Sequence, residues 1–248
     1  MKLIPDEGYY FGLGVFETIA VEDGKPILFD LHMQRLKEGI EFFDLSISMK
    51  DLKEKVKEFL KNPEIKNGHK VLKIAVSMEN QILTCRDNLY REEQYEKGFI
   101  TGLSKVRRNE TSPLTYHKTL NYGDNLMEKR KAKKYGVDEP LFLNTKGYLS
   151  EGATTNLFAV KNGEIYTPKK EDGILDGVIR QYLCSRYKIK EVHILPEEIE
   201  SFDEMFLTNS LLGIMPVTSF GTMEWKERTV SDRLRRDYKQ MMKESMEG

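Results

Sequence analysis

The chain has 248 residues, with 39 basic against 40 acidic side chains and a formal net charge of −1. That balance gives no electrostatic case for a nucleic acid or an anionic membrane as partner, and the length suffices for one large core or two small ones. No apolar run approaches the roughly 20 residues of a membrane span, and "MKLIPDEGYY" lacks the apolar stretch of a signal peptide. Cys85 and Cys184 form no disulfide framework, so the expected setting is the cytoplasm with both thiols reduced.

In chain order, "GVFETIAVEDGKPILF" alternates around Asp23-Gly24 and predicts a hairpin. "DLHMQRLKEGIEFF" follows, with Asp30 as N-cap and Met33, Leu36, Ile40 and Phe43 at helical spacing. "DLKEKVKEFLKN" predicts a second helix, and "HKVLKIAVSM" and "GFITGLSKV" predict strands. The polar "RRNETSPL" reads as a linker, which divides the chain into an N-terminal domain over 1–106, a linker over 107–113 and a C-terminal domain over 114–248. The second part opens with a strand carrying Lys118 and the helix "DNLMEKRKAKKYG". A meander follows, "EPLFLNT", "GYLSEGAT", "TNLFAVKN" and "GEIYTP", turning at Lys146-Gly147 and Asn162-Gly163. "DGVIRQYLCSRYK" predicts a helix, "DEMFLTNSLLGIMPVTSF" a strand with a sharply apolar stretch, and "SDRLRRDYKQMMKESM" a terminal helix capped by Ser231. The fold class is α+β, with mixed or antiparallel sheets and flanking helices.

"TYHKTLNY" sets Lys118 in an apolar and aromatic stretch. An amine must be uncharged to attack a carbonyl, and partial burial favours that form by removing hydration. On a strand, Lys118 and Leu120 face one way and His117 and Thr119 the other, so His117 reads as structural. The plainer alternative is a lysine that snorkels from a sheet edge. "YLSEGATTNLF" places Glu151 before small hydroxyl residues, where it either serves a ligand or caps a turn. "GILDGVIR" puts Val178 and Ile179 at a helix start, where backbone N–H groups and the helix dipole suit a phosphate. "FLTNSLLG" offers hydroxyls at Thr208 and Ser210, and Arg35 in "HMQRL" is a cation suited to clamping an anion. A phosphate, an amine-reactive carbonyl and a ring nitrogen seeking a carboxylate together describe pyridoxal phosphate (PLP). His32, His69 and His193 stand singly at no metal-ligand spacing, so no metal site is expected.

In their order and spacing, these segments resemble the fold-type IV PLP enzymes, the two-domain group of branched-chain and D-amino-acid aminotransferases and aminodeoxychorismate lyase. The resemblance runs from "YFGLGVFET" to "TNSLLGIMPVTSF". It implies that Lys118 in "HKTLNY" carries the cofactor, that Glu151 faces the pyridine nitrogen, and that Arg35, Val178, Ile179 and Ser210 hold the phosphate. It also implies a small-molecule amine substrate and a homodimer. Within the group, Ile179 in "DGVIR", the Asn209-containing "TNSLLGIMPV" and the approach "RRNETSPLTYHKTLNY" lean to the lyase branch, which releases 4-aminobenzoate and pyruvate for folate biosynthesis. A class IV aminotransferase is the alternative, and a non-catalytic binding domain is the second. Thr18, Arg107 and Asn209 are candidates for substrate contact. Only "MKLIPDEGYYF" precedes "GLGVFET", so the first sheet is expected to be shorter than in the group, with Tyr9 and Tyr10 filling the vacated space.

Overall fold

The computed structural model describes residues 3–247, which fall into two compact units. One unit joins the chain up to Leu89 with His117–Tyr122 and the residues from Met242 onward. The other joins Tyr90–Tyr116 with Gly123–Met241. The segment 107–113, expected as a linker, begins in the last two residues of a strand and runs on to a 3₁₀ turn at Pro113–Tyr116.

The first unit contains α1 (Glu7–Phe11), β1 (Gly14–Glu22), β2 (Lys25–Pro26), α2 (Phe29–Phe42), α3 (Met49–Phe59), β3 (His69–Ser77) and β4 (Gln81–Asp87). Its sheet is antiparallel in the order β2-β1-β3-β4. The β1–β2 turn forms as expected, with Asp23 and Gly24 at φ 45° and 81°, because two left-handed residues match the twist of the paired strands. Alternation sends Val15, Ile19 and Val21 of β1 into a core with Met33, Leu36 and Ile40 of α2. Asp30 is not the N-cap of α2. That position belongs to Leu28, in the left-handed conformation at φ 51°, and Asp30 sits in the first turn, where its charge suits the helix dipole. Tyr9 and Tyr10 are exposed on α1 and fill no interior space.

The expected lysine strand is also absent. Lys118 O accepts from Phe16 N–H at 2.9 Å and Leu120 N–H donates to Gly14 O at 2.8 Å, which leaves one isolated bridge between Val15 and Thr119. Tight bonds from Thr119 N–H to His117 O and from Tyr122 N–H to Leu120 O bend the chain on both sides of that bridge, so no ladder extends.

The second unit contains α4 (Glu92–Lys97), β5 (Phe99–Arg108), α5 (Gly123–Lys134), β6 (Glu139–Asn144), β7 (Leu149–Gly152), β8 (Asn156–Lys161), β9 (Glu164–Pro168), α6 (Val178–Arg186), β10 (Ile189–Val192), β11 (Glu204–Asn209), β12 (Gly213–Phe220), β13 (Met223–Glu224) and, as far as Met241, the helix α7 (Thr229–Glu247). Its strands run β10-β9-β8-β11-β12-β5-β6-β7, with β13 beside β12. The sheet is mixed: β9–β10, β5–β12 and β5–β6 are parallel and the other pairs antiparallel. Leu141, Leu157, Leu207 and Met215 pack one core, while Phe158 and Phe206 stack with ring centres 4.9 Å apart on the alternate positions of β8 and β11. Ser231 lies inside the first turn of α7 and does not cap it. The buried Glu204 of β11 accepts from Val230 N–H at 2.7 Å and Ser231 N–H at 3.1 Å, so the capping group comes from another element. No helix among the described residues is long and apolar enough to cross a membrane.

Candidate active site

In the first unit Lys118 is half-buried, and its Nζ lies 4.4 Å from the ring centre of Phe16 and 4.9 Å from that of Tyr122. Those two rings meet edge to face at 5.1 Å. Aromatic faces attract a cation and exclude water from one side, so this amine differs in setting from the exposed lysines of the surface. Thr18 is two residues from Phe16 on the same strand face and is half-buried. His117 stacks on Phe42 at 4.1 Å.

Arg35 stands at the other side of β1. Its Nε and Nη2 donate to the two oxygens of Glu17, each at 2.7 Å. Glu17 is fully buried, and its Oε2 also lies 2.6 Å from Nδ1 of the buried His32. Burial alone raises the Glu17 pKa, but the charge of Arg35 and the contact with His32 outweigh it and hold the carboxyl well below the usual range. Burial pushes His32 down, and the Arg35 and Lys118 charges push the same way against Glu17. The imidazole is therefore neutral near pH 7, with its hydrogen on Nδ1, since an ionised carboxylate can only accept.

The second unit gathers the other expected residues. Glu151, on β7, is buried; its Oε2 accepts from Leu175 N–H at 3.0 Å and Asn156 Nδ2 at 3.4 Å, and its Oε1 is 3.2 Å from Arg108 Nη2. Asn156 Nδ2 also donates to Leu175 O at 2.7 Å, and its Oδ1 would lie 2.0 Å from a Cβ placed on Gly177. Glycine is thus required at the residue before α6, where it gives the helix no side-chain cap. Val178 and Ile179 open this helix and are buried. Thr208, paired with Asn156 across β8 and β11, has a buried hydroxyl with no hydrogen-bond partner among the described residues. Ser210 is half-buried just past the end of β11. Asn209 shapes that turn: its Oδ1 accepts from Leu211 and Leu212 N–H, both at 2.9 Å, and its Nδ2 donates to Thr154 O at 3.1 Å.

The pair at 107–108 divides its labour. Arg107 is exposed, whereas Arg108 points inward, lies over the Phe142 ring at 4.2 Å, and reaches Asn125 and Glu151. Sequence reasoning named Arg107 and missed Arg108 and Asn156. The signal for Arg108 was alternation along β5, lost once the segment was read as a linker. The loop after Glu151 is fastened by the fully buried Glu139, which accepts from Lys129 Nζ at 2.6 Å, Thr154 N–H at 2.5 Å and Thr155 Oγ1 at 3.1 Å.

Residues 14–220 match the family described as amino-transferase class IV, and the chain belongs to that family. It is 28% identical to the aminodeoxychorismate lyase of Bacillus subtilis (strain 168), over 86% of this chain and 79% of that one. It is also 28% identical to the D-alanine aminotransferase of Bacillus licheniformis, over 87% and 82%. Among solved structures, the 4-amino-4-deoxychorismate lyase of Pseudomonas aeruginosa superposes with a TM-score of 0.82 at 25% identity, covering 96% of this chain and 95% of that one. A fold IV-transaminase of Curtobacterium pusillum gives a TM-score of 0.82 at 26% identity, over 95% and 89%.

Proposed function

We propose that this protein is a PLP-dependent aminodeoxychorismate lyase, converting 4-amino-4-deoxychorismate into 4-aminobenzoate and pyruvate. The observation that carries the reading is Lys118, a half-buried amine over two aromatic faces in a chain similar to such a lyase over 86% of its length. The donor set fits the cofactor. A primary amine is present for an aldehyde, and a buried carboxylate with its own countercharge for a ring nitrogen. For the phosphate there is a helix start without a side-chain cap, on a unit that also holds the buried, unpartnered hydroxyl of Thr208.

When bound, PLP supplies an electron sink conjugated with the amine-bearing carbon of the substrate. With the cofactor bound, Lys118 Nζ would be the group that holds its aldehyde carbon, and it would be placed to take the ring proton from the amine-bearing carbon of the substrate. Glu151 would face the ring nitrogen, with Arg108 Nη2 beside it as countercharge. Arg35, the Val178 and Ile179 N–H groups and the Ser210 hydroxyl bind the phosphate, with Thr208 as a further donor. Thr18 and the exposed Arg107 are assigned to the substrate, whose carboxylates suit a cation, and Asn209 to shaping the turn that presents Ser210. Loss of pyruvate from the adjacent carbon leaves an aromatic ring, which drives product release.

The similarity to D-alanine aminotransferase at the same identity supports a second reading, a class IV aminotransferase that shares the first proton abstraction and differs in where the proton returns. Purified protein loaded with PLP and given 4-amino-4-deoxychorismate is expected to yield 4-aminobenzoate and pyruvate in equal amounts. Turnover of an amino acid with 2-oxoglutarate, with no 4-aminobenzoate, would replace the lyase by the aminotransferase. The reading also carries a cytoplasmic homodimer, and a fully active monomer in sedimentation would contradict that part of it.

A further inference from the structure

Alternation along β1 places Glu17 among Val15, Ile19 and Val21, positions that fill the core beneath α2. An apolar residue there would avoid the desolvation of a buried charge, so a carboxylate at this point calls for a use beyond stability. Its partners are both on α2 at i and i+3, which puts His32 and Arg35 on one helix face directed at β1. The planar guanidinium is gripped through two N–H groups by two carboxylate oxygens, the geometry that fixes its plane and rotation. His32 in turn fixes one of those oxygens. Three side chains that are each flexible or costly alone thus form a fully connected network around one cation.

We propose that Glu17 and His32 are positioning residues, a buried support that sets the orientation of Arg35 and through it the preference of the protein for a phosphorylated aldehyde. The inference rests on the reading of Arg35 as a phosphate ligand. Lys118 and Glu151 are assigned to the rest of the cofactor and the start of α6 remains a second phosphate site, so loss of the support weakens discrimination at the phosphate and leaves pyridoxal binding in place. A bare arginine on α2 samples many rotamers, and part of its attraction for an anion is spent on ordering it; the support removes that cost in advance.

The test uses the full apo chain, titrated by absorbance with PLP and separately with pyridoxal, which lacks the phosphate. The ratio of the two dissociation constants isolates the phosphate contribution, which a merely structural defect would not change. Arg35→Met is expected to reduce this ratio strongly. Glu17→Gln is expected to reduce it about tenfold or more, the size of a lost charge-assisted hydrogen bond, and to add nothing in the Arg35→Met background. His32→Asn, which keeps an N–H near the Nδ1 position, is expected to retain the ratio, and His32→Leu to lower it. If Glu17→Gln gives no folded protein, the contrast between the two His32 variants carries the same test. An unchanged ratio in Glu17→Gln or in His32→Leu, with Arg35→Met still reducing it, overturns the support while leaving the phosphate role of Arg35 intact. An unchanged ratio in Arg35→Met removes that role and the support with it.

Discussion

Lys118 and Glu151 illustrate how a side chain is set apart by its neighbours more than by its type. The chain has 39 basic residues, and Lys118 is set apart by two aromatic rings beneath its Nζ. Glu151 is set apart by Arg108, which is itself clamped between Phe142 and Asn125. Removing the countercharge leaves a buried carboxylate uncompensated, so Arg108→Met is expected to cost about 3 kcal/mol. Thermal denaturation should show the midpoint falling by several degrees, and a variant as stable as the wild type would refute the pairing. Arg107→Met, one residue earlier on the exposed face, should leave the midpoint unchanged. These two residues also mark where sequence reading fails. Along a strand a slip of one position exchanges the faces, and a polar "RRNETSPL" gives no apolar alternation by which to fix the register. Lys118, Glu151 and Arg35 stand out as candidates because each sits in a short, chemically distinct motif.

At the scale of elements, the start of α6 is the most constrained feature. Gly177 has no room for a side chain because Asn156 presses against it, and Asn156 also touches Glu151. Gly177→Ala is therefore expected to cost about 1–3 kcal/mol through overpacking and to weaken PLP retention in equilibrium dialysis. Retention equal to wild type would show that the backbone at this helix start plays no part in holding the phosphate. Hairpins were readable wherever the turn chemistry is explicit, as at Asp23-Gly24. Helix bodies were readable from apolar spacing, as with Met33, Leu36 and Ile40. The caps were not. Leu28 precedes α2 without the side-chain oxygen expected of a cap, and Glu204 caps α7 from a strand. Both depend on tertiary contacts that local sequence does not encode. Strands β4 and β10 escaped notice for the same reason: "QILTCRD" and "IKEV" are short and do not alternate strictly, and pairing with β3 and β9 makes them strands.

At the scale of the whole molecule, the α+β class and the mixed sheet followed from the alternation of short strands and amphipathic helices. The composition of the two units did not, because His117–Tyr122 joins the first unit through only a few backbone bonds. The molecule should also be acid-sensitive in a defined way. His32 has a depressed pKa in the folded chain, so below about pH 6.5 the unfolded chain takes up its proton first, and stability falls as pH falls. Glu17 is likewise depressed, and its contribution is full above the ordinary glutamate range and lost below it. Both act in the same direction. The groups facing His32 are Glu17 of β1, Arg35 of α2 and Lys118. Thermal midpoints should decline from about pH 6.5 downward, and His32→Asn should flatten the upper part of that decline. A midpoint that rises on acidification would contradict the buried neutral imidazole.

The most direct test of the central claim is chemical. Protein purified with PLP should be yellow, lose that colour on borohydride reduction, and yield after digestion one pyridoxyl-modified peptide with the added mass on Lys118; Lys118→Ala should yield none. A stable modification on any other lysine, or a protein that stays colourless with PLP, would contradict the account at its root.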